Sequence, residues 1–227
     1  MKIGIIFAMK EELNELLKIL DLKKEYNIFD LTFYECNLDD KEIILTESGI
    51  GKVNAARTTQ ILIDNMKVDY IFNIGVAGGT NPSVSVCDIV VGENLVQHDF
   101  DITPFNHEKG YIPNVGTYIP CDEYLISLTK DINVDSKVYH GNIASGDIFI
   151  TDKNMSSKIS KKFNALCVEM EGASIAQVCY LSHIPFLIIR SISDSVNGNN
   201  ELTYNDFLLL SSKIVSKFMK ELLRKIG

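Results

Sequence analysis

Residues 165–179 read ALCVEMEGASIAQVC, and the fold turns on how that stretch is parsed. Its first four residues form a short apolar run of strand type. From Ala173 to Cys179 it is apolar again, with small residues at helical spacing. Between the two stand Glu169 and Glu171, one on either side of Met170. In an extended segment side chains alternate, so the two acids share one face and Met170 takes the other. An unpaired carboxylate is costly to bury, so each acid must be paired, hydrogen-bonded or protonated. The stretch is predicted to be a buried strand that ends in an acidic turn and opens directly into a helix.

The same unit recurs in both directions along the chain. Residues 3–9 are a continuous apolar run, as expected of a strand buried on both faces, and Leu13, Leu16, Leu17 and Leu20 follow at helical spacing. Residues 31–38 and 42–47 read as a strand pair joined at Asp39-Asp40, and 53–66 as helix. Residues 70–76 read as a strand ending in Ala77-Gly78-Gly79. Strands are predicted at 88–96, 137–144 and 186–192, and helices at 124–132, 155–163 and 204–226. Residues 99–116 form a polar and aromatic loop of a length usually kept for function. With no linker or repeat, alternating strands and helices predict one α/β domain over residues 1–227, built on a mostly parallel sheet.

Ligands bind at the carboxyl ends of strands in such sheets. Glu11 and Glu12 fall there after the first strand, Gly75 to Gly79 after another, and Glu169 to Glu171 and Ser193-Asp194 after two more. Arg190, inside an apolar strand, is the expected buried partner of one acid, and Glu169 is the better candidate. For Glu171 a structural and a functional role stay equally open. Asp194 suits either a loop cap or a general acid raised by burial. Glu12, taken alone, fits a solvated first-turn residue favoured by the helix dipole.

Composition narrows the function. The chain has 227 residues, 46% hydrophobic and 23% charged, which is ordinary for a globular protein. A net charge of -8 argues against a nucleic-acid surface but leaves room for a single nucleoside in a pocket. The five cysteines have no CxxC spacing and read as reduced core thiols. The four histidines form no HExxH or CxxH pattern, so neither a metal nor a cofactor is expected. No run is long enough to span a bilayer, and the N-terminus lacks a signal-peptide pattern, so a cytoplasmic location is expected. Gly49-Ile50-Gly51-Lys52 fails the phosphate-loop pattern at Thr46 and Val53, and the dinucleotide fingerprint at Asn54. What survives is a glycine turn at a helix N-terminus, where backbone N–H groups attract oxygens. Phe149, after Ser145-Gly146-Asp147-Ile148, is either a ring that stacks on a flat ligand or ordinary packing.

Taken in order, KIGIIFAMKEE, ESGIGKVNAA, NIGVAGG, CDIVV, QHDFDITPF, ASGDIFI, VEMEGASIAQVC and RSISDSV resemble the bacterial methylthioadenosine/S-adenosylhomocysteine nucleosidases of the nucleoside phosphorylase superfamily. The resemblance runs from the first strand to the last helix. It implies a twisted, mixed, partly barrel-like sheet wrapped by helices in three layers, assembled as a homodimer. It also implies cleavage of the bond between adenine and a 5-thioribose, with water as nucleophile. Asp194 then corresponds to the acid on adenine N7, Glu12 to the base for water, and Glu171 to the carboxylate on the ribose hydroxyls. Phe149 would stack on adenine, the Ile150 backbone would meet its edge, and Met170 would lie against the sugar. Met9, Ile50 and Phe207 would wall the alkylthio pocket, with Phe105 supplied by a partner subunit. Val76, Glu169, Arg190 and Ser193 complete the residues expected around substrate.

The chain departs from the family pattern at Val76, where a hydroxyl near the acid is usual, at Phe7 and Lys10, and at Pro104. None of these removes a proposed catalytic acid. A phosphorylase of the same fold is the nearest rival, yet FAMKEE and FNIGVAGG lack the arginines that a phosphate site needs. A nucleoside-binding sensor without turnover is the rival of another class.

Overall fold

A computed structural model describes residues 1–194 and 204–227. Strand β1 (Lys2–Phe7) is followed by helix α1 (Lys10–Leu17), then by strands β2 (Asp21–Ile28), β3 (Leu31–Leu38) and β4 (Lys41–Glu47). Helix α2 (Lys52–Ile61) widens into a π-type turn at Leu62–Met66 before β5 (Tyr70–Gly79) and β6 (Ile89–Gln97). A 3-10 turn (Thr103–Phe105), β7 (Ile119–Pro120), α3 (Glu123–Thr129), β8 (Val138–Ser145) and α4 (Lys153–Phe163) come next. Strand β9 (Ala165–Glu169), α5 (Gly172–Ser182), β10 (Phe186–Asp194) and α6 (Tyr204–Lys225) complete the order. Ser195 and Val196 of the RSISDSV motif lie outside the described residues.

The sheet is half ring, half open. β5, β10, β6, β8 and β9 pair in succession, and β9 returns to β5, so these five strands close on themselves. β5 is also the exit from the ring: its first residues, Tyr70 to Asn73, pair with β1, and β4, β3 and β2 follow in an open extension, while β9 meets β5 at Gly78 and Gly79. The expected mostly parallel sheet is corrected here. β1–β4, β1–β5, β5–β10, β6–β8 and β8–β9 are parallel, but β10–β6, β5–β9, β6–β7, β3–β4 and β2–β3 are antiparallel. Antiparallel pairs inside the ring let strands from distant parts of the chain meet without a crossover helix between every pair.

Burial explains which strands sit where. β1 buries every residue after Lys2, and β10 buries all but Asp194, as expected where both faces are covered. In α5, Ala173, Ile175, Ala176 and Cys179 are buried, and the helix packs against α2, β6 and β8. α6 lies along β10 and β5 and against α1. Asp122 and Asp152 cap α3 and α4, accepting the Leu125 and Met155 N–H groups at 2.9 and 2.7 Å. The first strand stops at Phe7 and not at Met9, which leaves Ala8 and Met9 free to turn over the carboxyl end of the sheet.

β2 is an element that the hydrophobic pattern did not announce. Its residues DLKKEYNI are mostly exposed at the outer edge of the extension. Its lysines and acids suit an edge that must not pair with another chain.

Candidate active site

β1, β5, β9 and β10 bring their carboxyl ends to one cleft, with about 650 Å³ of free space when its open mouth is counted. Glu12, Glu169, Glu171 and Asp194 line it, together with Met9, Ile50, Val76, Phe149, Ile150, Met170 and Ser193. Ala77 and Gly78, from the Gly75 to Gly79 segment, also line it, as do Ala8, Ile148 and Val168, which carried no sequence signal, being small or apolar residues between the marked ones. Arg190 lies behind this wall. Phe207 is half-buried in the first turn of α6 and Phe105 is 77% exposed, and neither borders the cleft within one chain. Among the described residues no group of three or more His, Cys, Asp or Glu is placed to hold a metal ion.

Glu12 is buried where a first-turn acid would ordinarily be solvated. Its Oε2 accepts the Ala8 and Met9 N–H groups at 3.2 and 3.1 Å, so it caps its own helix. Its Oε1 accepts the Val76 N–H at 2.9 Å, which ties α1 to β5. The fit needs Gly75, because a Cβ there would stand 2.5 Å from Oε1. Burial pushes the Glu12 carboxyl above its ordinary value, against the pull of the Val76 N–H and the Arg190 charge. Val76 therefore serves this acid through its backbone. Asp194 is held instead by the Ser193 hydroxyl at 3.2 Å, with Gly78 directly against it. Although the Asp194 side chain reaches solvent, crowding at the mouth of the cleft raises its carboxyl above the usual range, against the Ser193 hydrogen bond.

The two acids of the opening stretch meet different surroundings. Glu169 is fully engaged: Oε1 accepts the Ser145 hydroxyl, and Oε2 accepts the Glu171 and Gly172 N–H groups at 3.1 and 2.7 Å. Oε2 also takes the Arg190 guanidinium. The first N–H groups of α5 thus bind a carboxylate of the chain itself, at the kind of helix terminus that attracts anions. Gly172 permits the approach, since a Cβ there would lie 3.1 Å from both oxygens. The two terminal nitrogens of Arg190 also donate to the Asn73 side chain, the Asn73 carbonyl at 3.3 Å and the Ile189 carbonyl at 3.1 Å.

Among the described residues the Glu171 carboxylate has a single hydrogen-bond donor, the Gly51 N–H at 2.9 Å. Gly51 has φ +102°, a conformation that glycine adopts without strain, and it precedes the first turn of α2. Burial and the neighbouring Glu169 charge push the Glu171 carboxyl up to about 7, with Arg190 pulling the other way. One guanidinium therefore offsets three buried acids, Glu12, Glu169 and Glu171.

The family model of the phosphorylase superfamily matches residues 2–226. A 5'-methylthioadenosine/S-adenosylhomocysteine nucleosidase of an Exiguobacterium species is 40% identical over 230 residues, covering 98% of this chain and 99% of that protein. The chain belongs to this nucleosidase family. Among solved structures, the nucleosidase of the same name from Campylobacter jejuni superposes with a TM-score of 0.94 at 35% identity, each chain covered completely. Futalosine hydrolase of Helicobacter pylori superposes with a TM-score of 0.93 at 34% identity, covering 99% of this chain and 98% of that one. The half-closed mixed sheet described above is the fold that these relatives share.

Proposed function

We propose that the chain, acting as one domain over residues 1–227 in the cytoplasm, hydrolyses the N-glycosidic bond of 5'-methylthioadenosine and S-adenosylhomocysteine. The observation that carries this is the convergence of Glu12, Glu171 and Asp194 on one cleft that also presents Phe149 and Ile150. The purine would stack on Phe149, with its edge at the Ile150 backbone and its N7 toward Asp194. Met170 and Glu171 would hold the ribose, and Met9 and Ile50 would receive the 5'-alkylthio group. Asp194 gives its proton to N7, so that adenine leaves neutral as the C1'–N9 bond breaks. Glu12 takes a proton from the water whose oxygen forms the new bond to C1'. A carboxyl raised by its surroundings suits both tasks, since proton transfer is most effective when the pKa lies near working pH. The buried charge of ionised Glu171 would stabilise the positive charge that develops on the sugar.

Water is favoured over phosphate as the nucleophile. Among the described residues that line the cleft none is a lysine or arginine, and Arg190 is committed to Glu169, Asn73 and Ile189. A phosphate site would need such cations. The exposed Phe105, on the loop that follows β6, fits a homodimer in which that ring reaches the neighbouring cleft.

Adenine release from methylthioadenosine is expected to proceed at full rate in phosphate-free buffer. A strict requirement for phosphate would replace this reading with that of a phosphorylase, and no release at all would favour a binding sensor. Likeness to futalosine hydrolase adds 6-amino-6-deoxyfutalosine to the substrates worth comparing.

A further inference from the structure

A cross-brace lies just behind the cleft. The Lys52 ammonium donates to Asp99 Oδ1 at 2.8 Å and to Gln97 Oε1 at 3.1 Å. The other Asp99 oxygen accepts the Asp147 N–H at 2.9 Å, and Asp147 Oδ1 accepts the Lys52 N–H at 2.8 Å. Three segments are closed into one loop of contacts: the turn before α2, the end of β6 and the loop after β8. The Lys52–Asp99 pair is largely shielded, with side chains 18% and 16% exposed, so solvent screens it less than a surface pair. Gly51 is fitted to the same junction, since a Cβ there would lie 3.2 Å from Asp147 Oδ1. On the opposite side Gly146 rests on the buried His98 ring, and a Cβ would stand 2.4 Å from Nε2.

What the brace joins gives it meaning. Gly51, next to Lys52, donates its N–H to Glu171, and Phe149 stands two residues beyond Asp147. The sugar-facing acid and the segment carrying the ring beside the base are thus joined through a brace centred on an ion pair between residues 47 positions apart. We propose that Lys52 and Asp99 are positioning residues, locking the Gly51 turn to the Gly146–Ile150 loop so that Glu171 and Phe149 hold a fixed separation matched to a purine riboside. This rests on the nucleosidase reading for the identity of the ligand, but not for the geometry of the brace.

The test compares the native protein with Lys52→Met, Asp99→Asn, the double variant and Lys52→Arg. Adenine affinity is read by calorimetry, KM and kcat with methylthioadenosine, and folding by thermal melting. Either neutral variant is expected to weaken adenine binding about tenfold and to raise KM by a similar factor, as loss of an aligned stacking ring would. kcat should fall less. The double variant should be no worse than the poorer single variant, because the two residues act as a unit. Lys52→Arg, which keeps the charge, should recover most of the affinity. Unchanged adenine affinity and KM in folded variants, or effects that multiply in the double variant, would overturn the proposal. If the native protein binds adenine yet releases none from methylthioadenosine, the nucleosidase reading fails, and the adenine affinities still decide the brace. A native protein that does not bind adenine at all overturns both.

Discussion

The back of the cleft and its working wall are built from the same residue types and treated in opposite ways. At the back, Glu169 receives Arg190, the Ser145 hydroxyl and two N–H groups of α5, so its charge is balanced and its oxygens are filled. On the wall, two residues further along the chain, Glu171 has one N–H and a carboxyl driven up to about 7. Glu12 has three N–H donors and is still raised by burial, and among the described residues Asp194 has a serine hydroxyl. Residue type alone does not assign a role here. Acids that are fully satisfied hold the fold together, and those left partly unsatisfied keep chemistry available at a cost in stability.

The comparison can be broken first at the mouth of the cleft. Asp194→Asn removes the proton donor from a solvent-reaching side chain, so kcat on methylthioadenosine should fall about 10³-fold, within the range for loss of a general acid. Its melting temperature should stay close to native, and a stopped assay for free adenine reads the loss. Arg190→Met attacks the back of the cleft. It strands Glu169 in a buried site, and removal of one partner from such a pair costs about 3–5 kcal/mol in denaturant unfolding. Adding Glu169→Gln should recover part of that loss; equal instability of the single and double variants would mean that the pair is not a unit. Gly75→Ala is the sharper probe of the wall, because its new Cβ must displace Glu12. A shift of that acid by about 1 Å should cost about 10²-fold in kcat/KM, with KM little changed.

How far the sequence could be read follows from where its information is local. Glu171 and Asp194 were visible because each interrupts or ends an apolar run, and the carboxyl-end rule of α/β sheets groups such interruptions; Glu12, which alone read as a solvated first-turn acid, came to the site through the family resemblance. The Glu169–Arg190 pair was visible for the same reason: a charge inside an apolar strand needs a buried partner. Closure of the ring was not visible from the pattern, because β9 meets β5 and β10 meets β6 antiparallel across long stretches of chain, and no local pattern encodes that. β2 was hidden by its exposure, which removes the alternation that marks a strand. The Lys52–Asp99–Asp147 brace was hidden by separation, as its members are ordinary polar residues far apart along the chain. Phe105 and Phe207 came from the family resemblance alone, and a single chain does not bring either to the cleft.

Glu171 and Glu169 can be set against each other in one measurement: unfolding free energy and kcat for Glu171→Gln and Glu169→Gln at pH 8 and pH 4.5. A carboxyl raised in the folded state favours folding while protonated, and that contribution is lost as pH rises from its unfolded value toward about 7. Glutamine at 171 keeps an oxygen for the Gly51 N–H and sheds the buried charge. Glu171→Gln should therefore be more stable than the native protein at pH 8, by about 1–3 kcal/mol. The gain should fade toward pH 4.5, and adenine release should be largely lost. Glu169→Gln should be less stable than native at pH 8, because Arg190 loses its counter-charge. If Glu171→Gln is instead destabilised like Glu169→Gln, or keeps native kcat, the division between a structural back and a working wall is wrong.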